Sequence, residues 1–422
     1  SVIILAFALY VIIPQTVALG AWFDRIFVNS FGFPVNSGLL TFFLLLLGGL
    51  GYGVYLSHRK GKVALNTFLL CTAMMVLGYC TYASVVIRAS ENPPMNSNAP
   101  SDPYQLLSFL NREQYGDRPL FKGQYYSAPA IGLKEGDSYY LDTKSGKYIP
   151  YSYVKGYEFD PRFTTIFPRM YSSDPNHIAE YEHWGNITGK KVRYNDEMIT
   201  IPTFKENLTY FLNYQLNFMY WRYFLWNFVG RQNDLQSQGE LTKGNWLSGI
   251  KPIDEIYLGP QDNLPSELKD NKGRNRYYFL PFILGMIGLF YQLRRDRNNF
   301  TVVMWLFFMT GIAIILYLNQ PPLQPRERDY AFAGSFYAFS IWIGLGVLWF
   351  YDLFYKYLGK KKEGEESGKG LKMQTNAAIL ATVICSCVPL ILISENWDDH
   401  TRANRYIARD YGANYLKSTL PN

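Results

Sequence analysis

The sequence predicts an α-helical polytopic membrane protein of about seven transmembrane helices, with a large mixed, mostly irregular external loop domain. Three observations predict it. Apolar runs of roughly spanning length, about 20 residues each, occur at Val2–Gly20, Ser37–Tyr55, Val63–Ile87, Tyr277–Leu293, Phe300–Leu318, Ala331–Leu353 and Ala377–Ile393. One long polar block, from Arg88 to about Arg276, separates the third run from the fourth. Basic residues then cluster in three short loops: His58–Lys62, Arg294–Arg297 and Lys356–Lys372. If each run spans once, all three loops share one side, and lysine and arginine mark that side as cytoplasmic.

Each element has its own reason. The runs lack the alternation of barrel strands, and a bilayer admits only helices or closed barrels, so they are helices. Pro14 and Gln15 interrupt the first. The stretch Arg88–Pro103 carries four prolines and three asparagines, so it is extended and turning. Tyr104–Tyr115 reads as a short helix with Leu106, Leu107 and Leu110 on one face. Tyr139–Tyr148 reads as a hairpin turning at Thr143–Gly146, and Ile149–Thr203 as irregular. Near 205–230, Leu212, Leu216, Met219, Tyr223 and Trp226 recur at helical spacing, but Asn213, Gln215, Asn217 and Arg222 make a poor span. An eighth crossing would also invert every later basic loop, so this is expected to be a helix lying in the outer interface. The expected organisation is residues 1–88 as spans one to three, 89–276 external, 277–394 as spans four to seven, and 395–422 an external tail.

Composition narrows the classes. The mean hydropathy of −0.10 averages two unlike materials. Aromatic residues make up 17%, including 35 Tyr, which suits a chain that meets membrane interfaces. A net charge of +7 without an arginine-rich arm argues against nucleic acid as a partner. The four cysteines, Cys71, Cys80, Cys385 and Cys387, lie in apolar runs, so the polar block has neither a disulfide framework nor a cysteine zinc site. Ser1 opens inside an apolar run, and the chain is expected to be part of a longer protein.

Candidate chemistry lies at the outer membrane mouth. One group is Arg88, Glu91 and Asn92, with Arg112, Glu113, Asp117 and Arg118 as secondary candidates. Another is Arg326, Arg328 and Asp329, before the sixth run. Arg222 in the aromatic helix, followed by Arg231, is the third. The planar guanidinium fork makes bidentate bonds to phosphate, so arginines at headgroup level suit a donor phosphate. Neighbouring aromatic rings suit an isoprenoid tail or a sugar face. Each residue also has a plainer reading: arginines at an interface contact lipid phosphates, and Arg88–Glu91 or Arg112–Glu113 can be local ion pairs. His177, Glu180, Glu182 and His183 match no ligand spacing, so no metal site is assigned and a divalent-metal requirement stays open. Asp398-Asp399-His400 reads as a helix cap. No phosphate loop, dinucleotide fingerprint or nucleophile elbow is present.

Several blocks resemble a known family. Arg88-x-x-Glu91-Asn92-Pro93-Pro94-Met95-Asn96, Leu110–Pro119, Arg222–Asp234, Gln261–Ser266, Arg326–Phe332 and Asn396–His400 look like the inner-membrane proteins of Bacteroidetes related to the plexin-type protein O-mannosyltransferases, in the glycosyltransferase C superfamily. The chain resembles the C-terminal membrane half of that family. The resemblance implies transfer of a sugar from a polyprenyl-phosphate donor to a protein hydroxyl, at the periplasmic face of the bacterial inner membrane. It implies an inverting reaction whose acidic base sits in a first external loop with no counterpart here, so no catalytic residue is assigned. The implied partners are membrane lipids, the lipid-linked sugar and an acceptor protein. Two other classes stand beside it: a non-catalytic scaffold or accessory subunit of a cell-envelope complex, and a lipid or solute transporter. Against the transporter, the runs lack midplane charges and paired broken helices.

Overall fold

The computed structural model describes residues 13–111, 113, 116, 118–142, 144–359, 368–397, 403 and 406–419. The chain is mostly helical and divides into two compact units. Unit 1 comprises Ser1–Arg118 and Pro129–Pro161; unit 2 comprises Pro119–Ala128 and Arg162–Asn422. The polar stretch 89–276 is thus shared between the units.

Unit 1 is built from α1 (Ile13–Phe31), α2 (Ser37–Arg59), α3 (Val63–Ser90) and α4 (Pro103–Asn111), with one long hairpin. Val17, Val86 and Leu106 form a small buried core, with Leu107 and Leu110 packed on it as the leucine spacing predicts. The hairpin pairs Ala130–Asp142 with Lys147–Phe159. Its turn follows from local chemistry: the Asp142 carboxylate accepts from the backbone N–H of Ser145 at 3.0 Å, and Gly146 takes φ +63°. The hairpin is fixed to α1 through Tyr148. Its N–H donates to Asn29 Oδ1 and its carbonyl accepts from Asn29 Nδ2. The Tyr148 hydroxyl donates to Asp24, which is fully buried and also caps the start of α2 by accepting from the N–H groups of Gly38 and Leu39.

Unit 2 contains α5 (Pro175–Gly185), α6 (204–228), α7 (Lys251–Leu258), α8 (Leu280–Arg295), α9 (Arg297–Leu318), α10 (Asp329–Leu358), α11 (Lys372–Asn396) and α12 (Ile407–Ser418). The stretch Ile149–Thr203, expected to be irregular, is not. It contains the end of the unit 1 hairpin, α5 and a second hairpin, Lys190–Tyr194 with Glu197–Ile201. The missed signals are short: Asp174 caps α5 by accepting from the Asn176 N–H, with Pro175 in the first turn, and Asn195 turns the hairpin at φ +51°.

Helix α6 is a helix, as predicted, and it forms the buried centre of unit 2. Tyr210, Tyr214, Met219, Tyr220, Tyr223 and Phe224 are almost fully buried, while Leu212 is 52% exposed. The reason is that 211–221 forms a π-helix. Its wider turn brings residues four apart nearly into register, so Tyr210, Tyr214 and Phe218 stack at 5.3 and 5.6 Å. A run of polar and aromatic residues that suits neither a span nor a soluble surface is here enclosed by protein.

The start of α6 is held by a capping box between Thr203 and Glu206. Glu206 also accepts from the N–H groups of Thr188 and Gly189, joining the second hairpin to α6. Burial alone pushes this carboxyl up, but the N–H groups of Thr203, Thr188 and Gly189 and the Thr188 hydroxyl outweigh it and hold the pKa at about 2, against 4.5 ordinarily. The stabilisation is therefore complete above about pH 4.5 and is lost as pH falls toward 2; the shift corresponds to about 3 kcal/mol. Glu206→Gln is expected to lower the thermal midpoint at pH 6 and to flatten its decline between pH 5 and 2.5, measured in detergent. An unchanged acid profile would contradict this.

Five helices among the described residues are long and apolar enough to cross a membrane: α2, α3, α9, α10 and α11. The chain is a multi-pass membrane protein. Of the two remaining expected runs, Val2–Gly20 is described only from Ile13, and Tyr277–Leu293 gives the 16-residue α8. At 1.5 Å per residue α8 reaches about 24 Å, short of a ~30 Å hydrocarbon core. It lies flush against α10, where a Cβ at Gly288 would run into the Trp342 carbonyl. Asp398-Asp399-His400 lies outside the described residues.

Candidate functional site

Arg222 leaves α6 one turn beyond the aromatic ladder and is 4% exposed. Its guanidinium lies 3.9 Å from the Phe218 ring centre. Nε donates to the Phe218 carbonyl at 3.0 Å, and Nη1 donates to the Gly244 carbonyl at 2.7 Å. Nη1 and Nη2 also form a fork onto the two carboxylate oxygens of Glu327, at 3.2 and 2.7 Å. Glu327 accepts in addition from the Tyr223 hydroxyl at 2.5 Å and the Ser237 N–H at 2.9 Å. Burial raises the Glu327 pKa, but the Arg222 bonds and charge, with Tyr223 and Ser237, outweigh it and keep the carboxyl ionised below its usual range. Every group of this pair is occupied by protein, so Arg222 holds Glu327 rather than waiting for a ligand.

The loop after α6 closes over this pair. Asn233, fully buried, accepts at Oδ1 from Gly244 N–H and donates from Nδ2 to the Thr242 carbonyl. Gly244 is needed where it stands: its φ is +54°, and a Cβ there would meet the Leu235 carbonyl at 2.7 Å.

Around the closed pair lies a second set of cations. Arg231 stacks 4.0 Å from the centre of Trp226, with Arg222 at 4.8 Å from the same ring. Burial pulls the Arg231 pKa down, against the pull of Asp329, Asp234 and Glu327. The backbone N–H of Arg328 donates to the Tyr223 hydroxyl at 3.2 Å, and Arg326 is exposed beside Tyr330. Three buried donors here have no hydrogen-bond partner among the described residues: Arg231 Nε, Arg328 Nε and Trp226 Nε1. They sit on residues that touch Tyr223 or Trp226. With four guanidinium groups and the carboxylates of Glu327 and Asp329, the locus is cationic, and its spare donors suit an acceptor oxygen.

Of the sequence candidates, the structure gathers Arg222, Arg326, Arg328 and Asp329 in unit 2. Arg88, Glu91 and Asn92 belong to unit 1. Arg88 and Glu91 are exposed, and among the described residues they form no ion pair with each other. Glu113 accepts from Asn111 Nδ2 at 3.5 Å, and Arg118 is exposed. Arg112 and Asp117 lie outside the described residues. Glu327 stands inside the Gln324–Tyr330 group of the sequence but is not among the candidate site residues chosen from it. Only its pairing with Arg222, 105 positions away, reveals it. Among the described residues no group of three or more His, Cys, Asp or Glu could hold a metal ion. His177 contacts the Ser172 hydroxyl, and Glu180 accepts from Trp184.

Residues 116–212 match a family of unknown function (DUF8416). No curated protein and no solved structure matches the chain.

Proposed function

We propose that this chain is part of a membrane glycosyltransferase that moves a sugar from a polyprenyl-phosphate donor to a protein hydroxyl. The reading takes the chain to sit in the bacterial inner membrane with seven spans, the stretch 89–276 and the tail periplasmic. The observation that carries it is the set of unpartnered buried donors on Arg231, Arg328 and Trp226 beside exposed Arg326. Guanidinium groups bind phosphate in pairs, and the exposed Tyr330 ring gives a face for an isoprenoid or sugar. The motif resemblance at Arg222–Asp234 and Arg326–Phe332 supports the same locus.

Arg231→Ala, Arg326→Ala and Arg328→Ala in the full-length protein are each expected to lower glycan transfer at least tenfold, with partial recovery in the lysine variants. Wild-type transfer in all three would contradict the proposal. A second reading, a non-catalytic scaffold of an envelope complex, is favoured by exposed Tyr140, Tyr151 and Tyr157 on the unit 1 hairpin. It predicts a stable copurifying protein whose binding is lost when these tyrosines become serine.

A further inference from the structure

Two carboxylates are buried together in unit 1. Asp24 on α1 is fully buried, and Asp102, the residue before α4, is 1% exposed. They come from different elements and meet across one aromatic layer. The Tyr104 ring of α4 lies 5.4 Å from that of Tyr148, whose hydroxyl donates to Asp24 at 2.8 Å. Tyr139 of the hairpin completes the layer, 5.2 Å from Tyr104.

The two acids are not equally provided for. Asp24 accepts from the N–H groups of Asn36, Gly38 and Leu39 and from the Tyr148 hydroxyl. Asp102 caps α4 through Oδ1, which accepts from the N–H groups of Tyr104 and Gln105 at 2.8 and 2.9 Å. Arg25, next to Asp24 in the chain, is turned onto the Tyr139 ring, 4.1 Å from its centre. Among the described residues neither acid has an ion pair.

A buried carboxylate without a cation is costly, and a like charge nearby adds to the cost. Burial pushes the Asp102 carboxyl up from its ordinary range and the Asp24 charge adds to that, while the Gln105 and Tyr104 N–H bonds oppose it without cancelling it. The charged and titratable groups facing this pair are Arg25 on α1, Tyr139 and Tyr148 on the hairpin, and Tyr104 on α4. Folded unit 1 therefore keeps a proton on Asp102 that the unfolded chain has already released. The sign is opposite to that of Glu206: the stabilisation is full below the ordinary carboxylate range and is lost as pH rises through the raised value.

Only one of the acids can withdraw. At Asp24, α1 and α2 touch, and a Cβ on Gly38 would meet the Asp24 backbone at 2.5 Å. Asp102 stands between the proline-rich stretch, held to the Ala89 carbonyl by Asn96 Nδ2, and the nine-residue α4, whose Leu106 reaches the core. A protonated Asp102 keeps an acceptor for the two N–H groups, so the cap survives and only the charge goes.

We propose that Asp102 is a proton-operated latch on α4 and the proline-rich stretch before it. With the proton on, α4 seats against α1 and the hairpin; with the proton off, α4 and that stretch loosen and give Asp102 to water. The latch does not depend on the function proposed above.

Hydrogen exchange of the full chain in detergent, read by mass spectrometry and corrected for the intrinsic pH dependence of amide exchange, tests it between about pH 4.5 and about pH 7.5. Peptides from α4 are expected to be at least fivefold better protected at the acid end. Asp102→Asn and Asp102→Ser supply neutral caps; both should keep the acid-end protection at the neutral end and lose the pH dependence. Peptides holding Glu206 serve as the control, because that carboxyl acts with the opposite sign. Equal protection of α4 at both ends in the wild type overturns the proposal. A pH dependence that survives in both variants overturns it too, since the titrating group then lies elsewhere. An α4 left unprotected at both ends in both variants makes Asp102 a cap alone and likewise overturns it.

Discussion

Glu327→Ala is expected to destabilise unit 2 by about 3–5 kcal/mol, the cost of leaving a buried charge without its partner. Three groups lose their acceptor at once: the Arg222 fork, the Tyr223 hydroxyl and the Ser237 N–H. Arg222 cannot turn to water, because its side chain is 4% exposed and held by the Phe218 and Gly244 carbonyls. The double variant Glu327→Ala with Arg222→Met should recover a large part of the loss, since the stranded cation is gone. Thermal unfolding of the three proteins in detergent measures it. Additive losses in the double variant would show that the pair is not coupled as described.

Asn319→Ala is expected to cost several kcal/mol, since each stranded buried partner carries about 1–3 kcal/mol. Asn319 is fully buried at the end of α9, with φ +39°. Its Nδ2 donates to the carbonyls of Pro119 and Pro168 at 2.8 and 2.9 Å. Its Oδ1 accepts from Gln215 Nε2 at 3.1 Å, and its own carbonyl accepts from the Tyr171 hydroxyl. One side chain therefore joins α6, the end of α9 and two loop carbonyls. Asn319→Asp should be at least as damaging despite its shape, because it faces two carbonyl oxygens with no N–H to give them. A midpoint within a degree of wild type for either variant would contradict this account of the unit 2 core.

Much of the membrane architecture was legible. The runs at Ser37, Val63, Phe300, Ala331 and Ala377 correspond to α2, α3, α9, α10 and α11, because a spanning helix needs only length and apolarity, and both are local properties. Leu106, Leu107 and Leu110 pack as their spacing predicts. The illegible parts depended on geometry or distance. The π-turns of 211–221 change the period, so Leu212 looked like a core residue and is exposed, whereas Tyr214 is buried. Arg222 looked available for phosphate because nothing near it in sequence is acidic; its partner Glu327 comes from the far side of three helices. The same pairing shifts the free donors to Arg231 and Arg328, whose burial no pattern shows.

The most direct measurement is the affinity of polyprenyl phosphate for the full-length protein and for its Arg231→Ala, Arg328→Ala double variant, by native mass spectrometry at matched thermal stability. The account predicts binding weakened at least tenfold in the variant, with part regained when both positions carry lysine. Equal affinity in wild type and variant would contradict it.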